Sequence, residues 1–106
     1  MGRSIQQLTQ DMHKFVTAKG WYAPDSKRPQ TPKNIAISLV LEASEVLEHF
    51  QWKENSFDKK ELENEVADVA LYLFQLCQIC EINLEDAIHQ KLSQNYERQW
   101  NKNTVK

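Results

Sequence analysis

Residues Asn34 to Lys53 read NIAISLVLEASEVLEHFQWK, and residues Glu65 to Phe74 read EVADVALYLF. Both stretches are built largely from Ile, Leu, Val, Ala and Phe, the composition of buried helices, yet each carries an acidic pair: Glu42 with Glu45, and Glu65 with Asp68. On an α-helix an i, i+3 spacing puts both carboxylates on one face, about 60° apart around the axis. In the first stretch Ser38, Glu42, Glu45 and His49 then form one stripe, with Ala36, Leu39, Val40, Ala43, Val46, Leu47 and Phe50 on the opposite side. The second stretch has a matching stripe of Glu61, Glu65, Asp68 and Tyr72, backed by Leu62, Val66, Val69, Leu73 and Leu76.

Two antiparallel helices joined by a short turn bring such stripes face to face. Four carboxylates in one place repel one another and are costly to desolvate unless a cation neutralises them. A hard divalent ion with oxygen ligands fits best: Mg²⁺, with Mn²⁺ as the second choice. A single ExxE is more often a solvated face, but here both pairs hold the same orientation relative to the apolar side. Between Ile35 and Phe50, and between Leu62 and Cys80, there is no lysine to balance an exposed acidic face.

Punctuation outward from these segments divides the chain into four helices. The first is expected from about Ile5 to Lys19, ended by Gly20. Trp21 to Thr31, with Pro24, Pro29 and three basic residues in or beside it, reads as a loop. Thr31 caps a second helix that starts with Pro32 and runs to about Phe50. Asp58 and Glu61 form a capping box for the third, with Phe57 and Leu62 as its hydrophobic staple, and it continues to about Glu81. Asn83 caps the fourth, where Glu85 and Asp86 sit favourably against the helix dipole. With no strand alternation, glycine-rich loop or internal repeat, the expected fold is all-α, a four-helix bundle-type arrangement in one domain spanning 1–106.

Size and charge narrow the function. A chain of 106 residues has room for one core and no second domain to close over a substrate, so a cleft is expected to be completed by a second subunit. Thirteen Lys and Arg against 15 Asp and Glu give no electrostatic case for duplex nucleic acid. Cys77 and Cys80, spaced i, i+3 on a helix, are poorly placed for a disulfide and read as reduced core thiols of a cytoplasmic protein. No targeting signal is visible, and the apolar run of the third helix is broken by Asp68, Tyr72, Gln75 and Gln78, so no membrane span is expected.

The spacing Glu42-x-x-Glu45, then Glu65-x-x-Asp68, resembles the signature of the all-α nucleoside triphosphate pyrophosphohydrolases, the MazG-like superfamily. The two stretches quoted above, followed by Lys91, Asn95 and Arg98, are similar in order and spacing to its deoxycytidine triphosphate pyrophosphatase branch, so the likeness covers most of the chain from Trp21 onward. The resemblance implies hydrolysis of a deoxynucleoside triphosphate to monophosphate and pyrophosphate, a house-cleaning activity on the deoxynucleotide pool, with Mg²⁺ held by the four acids. It also implies a bundle completed by dimerisation, often as a tetramer of two dimers. One departure bears on base preference. Some relatives place a base-contacting His in the first helix, nine residues before the tryptophan matched by Trp21; here that position is Met12, with His13 one residue later.

The residue types suit that chemistry. Lys53, just beyond the second helix, and Lys91 with Arg98 on one face of the fourth, are the candidate phosphate contacts. Trp21 and Trp52, in loops, can stack on a base, while Tyr72 and Asn95 can hydrogen-bond its edge or the deoxyribose. Trp100 is assigned to packing, and His13, His49 and His89 are not expected as ligands of a hard ion. A di-iron or di-manganese carboxylate bundle wants Glu-x-x-His on two helices, and the chain has none. A non-enzymatic helical dimer acting as adaptor or regulatory module explains the apolar helices but not the acid stripes.

Overall fold

In the computed structural model, which describes residues 2–54 and 56–98, the chain forms four α-helices: α1 (Ile5–Ala18), α2 (Pro32–Glu48), α3 (Lys59–Ile79) and α4 (Leu84–Glu97). There is no strand among the described residues. The α2–α3 pair is the most extensive contact, α1 lies against α3, and α4 packs on α1. The expected helices are all present, and their ends fall within about two residues of the expected positions.

Local chemistry accounts for the boundaries. At the end of α1, Gly20 adopts φ 75°, and the Gly20 and Trp21 amides donate to the carbonyls of Thr17 and Val16. This is a Schellman closure, which needs a left-handed residue that glycine supplies without steric cost. Its consequence is functional, because it pins Trp21 to the last turn of α1. The Thr31 side chain caps α2 by accepting from the Asn34 amide at 3.1 Å, with Pro32 in the first turn. Asn83 caps α4 by accepting from the Asp86 amide at 3.0 Å.

Two caps differ from expectation. At α3, Asp58 accepts from the Glu61 amide at 3.1 Å, which is half of the expected capping box. The reciprocal box is instead at α1, where Ser4 accepts from the Gln7 amide and the Ser4 amide donates to Gln7 Oε1 at 2.8 Å. The S-x-x-Q pattern there met the same rule. The end of α3 is also closed by a Schellman pattern, with Ile82 N–H donating to the Cys77 carbonyl, but its left-handed position is held by Glu81 at φ 58°. A glycine would have marked that boundary in the sequence.

The core is thin. The buried apolar side chains among the described residues are Met12, Val16, Ile35 and Cys77, joined by the polar Gln75. Of the apolar side of α2 expected to be core, Ala36, Leu39, Val46 and Phe50 are half-buried, but Val40, Ala43 and Leu47 face outward, Leu47 to 68%, and Ile37 and Leu41 beside them are exposed too. Within one chain α2 turns its acidic stripe toward α3 and leaves part of its apolar surface uncovered. Cys77 and Cys80 are free thiols, as their spacing indicated, but Cys77 is buried while Cys80, expected in the core, is exposed because it follows the last turn of α3. Among the described residues no helix is long and apolar enough to cross a membrane.

Candidate active site

The α2–α3 hairpin brings the acidic stripes together. Carboxylate oxygens of Glu42, Glu45 and Glu65 all lie within 4.8 Å of one another. Asp68 adjoins this group through Glu42, with which it shares a hydrogen bond, and Glu65 likewise shares one with Glu45. Glu42 meets Asp68 and Glu45 meets Glu65, so rising numbers on α2 meet falling numbers on α3 and the pair is antiparallel. The Phe50–Phe57 ring contact, with centroids 5.5 Å apart, closes the loop between the helices at the base of this hairpin.

The electrostatics of the group favour a cation. Partial burial pushes the Glu42 carboxyl above the ordinary range, and the charges of Glu45 and Asp68 add to the effect. The Glu65 carboxyl is also raised, first by its hydrogen bond with Glu45 and then by desolvation and the charges of Glu45 and Glu42. His49 opposes the shift, placing that imidazole at the Glu65 end of the stripe. Carboxylates can share hydrogen bonds only when one is protonated, so at neutral pH the group is frustrated. The donor set fits a hard ion: with metal–oxygen distances of about 2.1 Å, opposed ligands of an octahedral site stand about 4.2 Å apart. Oxygens of Glu42, Glu45 and Glu65 within 4.8 Å of one another can converge on one such ion.

One cavity borders the acids and a second adjoins the first. The first, of about 160 Å³, is lined by Met12, Phe15, Val16, Trp21, Leu71, Tyr72 and Gln75, with Asp68 at its edge. The other, of about 310 Å³, is lined by residues of the α1–α2 loop together with Asn34, Ile35, Ser38 and Tyr72. Trp21 and Tyr72 belong to both, so the structure places two of the proposed base and sugar residues directly beside Asp68. Phe15 meets the Trp21 ring edge-on at 5.7 Å and helps hold it. Met12 lines the smaller cavity, at the position where the resemblance puts a histidine, whereas His13 turns to pack on Tyr22 with ring centroids 5.1 Å apart.

The other proposed contacts are not gathered here by one chain. Trp52 is 86% exposed and lines neither cavity, and Lys53 beside it is exposed. Lys91, Asn95 and Arg98 are on or at the end of α4, which packs on α1, and none of them lines either cavity. Trp100 lies outside the described residues. Sequence reasoning assigned no role to Lys27 and Arg28, which do line the larger cavity. Their position beside the proline-flanked loop was visible, but not which way that loop folds.

Comparison with known proteins places the all-α fold in a family. The family model described as the MazG-like family matches residues 37–105. Over 76 residues the chain is 32% identical to dCTP pyrophosphatase 1 of Mus musculus and 34% identical to that of Rattus norvegicus, in each case over 63% of this chain and 45% of the relative. The chain thus matches less than half the length of these curated relatives. The crystal structure of a pyrophosphatase from Archaeoglobus fulgidus superposes with a TM-score of 0.75 at 34% identity, covering 90% of this chain and 91% of that one.

Proposed function

This chain belongs to the MazG-like family, and we propose that it hydrolyses a deoxynucleoside triphosphate between the α and β phosphates, releasing the monophosphate and pyrophosphate. The observation that carries this reading is the convergence of Glu42, Glu45 and Glu65, with Asp68 adjoining, beside a cavity walled by Trp21 and Tyr72. Acids alone could be a surface accident, and an aromatic cavity alone could be packing; side by side they offer a metal end and a base end. The names of the relatives point to deoxycytidine triphosphate or a similar nucleotide as the first candidate.

In this reading Glu42, Glu45, Glu65 and Asp68 hold Mg²⁺, with Mn²⁺ as a substitute. When bound, the ion neutralises phosphoryl charge and lowers the pKa of a coordinated water. A water oxygen would bond to the α-phosphorus and give up its proton to a carboxylate of this group, while the α-phosphorus bond to the oxygen bridging to the β-phosphate breaks and pyrophosphate leaves with that oxygen. Trp21 stacks on the base and Tyr72 contacts its edge or the sugar. Met12, an apolar neighbour that can donate no hydrogen bond, leaves base selection to other groups in the cavity. Lys53, Lys91, Asn95 and Arg98 reach substrate only in an assembled site, as does Trp52, and the working form is a dimer or a tetramer of dimers.

The direct test is product analysis. Purified protein with Mg²⁺ and a panel of deoxynucleoside triphosphates should release pyrophosphate and not orthophosphate, and chelation should stop it. Orthophosphate release would mean cleavage at the γ-phosphate and sink the reading for a different hydrolase, and no release with any triphosphate would sink it in favour of an adaptor role.

A second expected result concerns the base end. Trp21→Ala should weaken triphosphate binding by about 1–3 kcal/mol, roughly ten- to hundredfold, with Mg²⁺ affinity little changed. Triphosphate with Mg²⁺ should also alter tryptophan fluorescence far more than pyrophosphate with Mg²⁺ does. Unaltered specificity constants in Trp21→Ala would make the ring a helix-end cap.

A further inference from the structure

The loop between α1 and α2 carries adjacent cations, Lys27 and Arg28, on the wall of the 310 Å³ cavity. Ser38 and Tyr72, on the same wall, lie one helical turn from Glu42 and Asp68 respectively, so the cavity opens about 5–6 Å along the helices from the acids. The loop is anchored from within the protein. Gln75, only 3% exposed, donates through Nε2 to Gln30 Oε1 at 2.6 Å, and Gln30 Nε2 donates to the Arg28 carbonyl at 2.6 Å. On the other side Ser26 Oγ accepts from the Arg28 amide at 3.0 Å. A buried amide committed to a surface loop makes the loop a positioned element, since leaving either group unpaired is costly.

Both side chains are exposed, and neither forms an ion pair among the described residues, where the salt bridge present is Arg3 with Asp11. The Arg28 guanidinium lies 5.9 Å from the centre of the Trp21 ring. Two adjacent cations with no ion pair among the described residues, one of them held over an aromatic ring, next to Asn34 and Ser38, suit an anion. The neighbouring cavity, lined by Met12, Phe15, Val16 and Leu71, suits a base.

We propose that Lys27 and Arg28 clamp the β- and γ-phosphates of the triphosphate whose α-phosphate lies at the acids, so that pyrophosphate departs through the loop cavity. The clamp rests on the function proposed above and adds to it the residues that hold the leaving group. Two charges on a fixed loop offset the negative charge that pyrophosphate gains as the bridging bond breaks, at the end of the site where the carboxylates cannot help.

The test uses Mg²⁺ with two ligands that the protein cannot turn over, α,β-imido deoxycytidine triphosphate and deoxycytidine monophosphate, titrated into wild type, Lys27→Ala and Arg28→Ala. Each substitution should lower affinity for the imido triphosphate about ten- to hundredfold, the worth of a charge-assisted hydrogen bond, and leave that for the monophosphate unchanged. Equal losses for both ligands would put the cations on the nucleoside or α-phosphate and overturn the clamp, as would unchanged affinity for the triphosphate analogue. Those results leave the hydrolase reading standing. A wild type that binds no triphosphate analogue with Mg²⁺ overturns both.

Discussion

Glu45→Gln should abolish turnover, by about a thousandfold or more in kcat/KM, while the four helices remain folded. Glu45 is central to the acid group: its oxygen lies within reach of both Glu42 and Glu65, and it shares a hydrogen bond with Glu65. Removing one charged ligand from a hard-ion site forfeits several kcal/mol of charge stabilisation, and each 1.36 kcal/mol is about tenfold in rate. Asp68→Asn should behave alike, through Glu42. Full activity in either variant would dismiss the metal assignment.

The same substitutions should act on stability in the opposite direction. The Glu42 and Glu65 carboxyls are raised above their ordinary value of 4.5 in the folded chain. A raised carboxyl binds its proton more tightly when folded, so its stabilising contribution is fully present below pH 4.5 and is lost as pH climbs through the raised value. Metal-free wild type should therefore melt at lower temperature at neutral pH than just above the ordinary glutamate range, through these groups. Glu45→Gln should flatten that decline and melt higher than wild type in chelator, and Mg²⁺ should stabilise wild type but not the variant. Thermal melts against pH, with and without Mg²⁺, read all three effects. A variant less stable than wild type in chelator at neutral pH would mean that the acids are not frustrated.

The second large effect concerns assembly. Val40→Glu, on the uncovered face of α2, should break the oligomer and, with it, activity. Val40 is 66% exposed and lies in a row with Ile37, Leu41 and Leu47, while α4 presents Ile88, Leu92 and Tyr96 at successive turns. Covering these in a second subunit would add apolar burial to the few side chains buried among the described residues and help offset the chain entropy. Burying a valine or leucine contributes about 1.5–3 kcal/mol, and a symmetric interface counts each residue twice. Sedimentation of wild type should find a dimer or tetramer at all concentrations where the chain is folded. A stable folded monomer, or an active Val40→Glu dimer, would contradict the assignment of this face.

Much of this was legible in the amino-acid sequence because it depends on local rules. Helix number and limits follow from Thr31-Pro32, Asp58, Asn83 and Gly20, each acting on neighbouring backbone groups within one turn. The i, i+3 spacing of the acids, on helices joined by a short connection, was enough to put Glu42 and Glu45 opposite Glu65 and Asp68. The end of α3 was less exact because Glu81, not glycine, takes the left-handed position.

What depends on three-dimensional packing was settled only by the tertiary structure. Periodicity identified the two faces of α2 and set the acidic one against α3, but did not show that Val40 and Leu47 on the other face would be left outward within one chain. No spacing rule connects Gln75 to Gln30, 45 residues apart, yet that hydrogen bond sets where Lys27 and Arg28 stand. Charge and helical register pointed instead to Lys53, Lys91 and Arg98, because the register of a helix can be counted along the chain while the path of a loop cannot. Residues within one or two helices were thus determined by the sequence itself, through hydrogen bonds and periodicity of short range. The cations beside the site and the uncovered face were decided by contacts between elements distant in the chain, where packing, not propensity, sets the outcome.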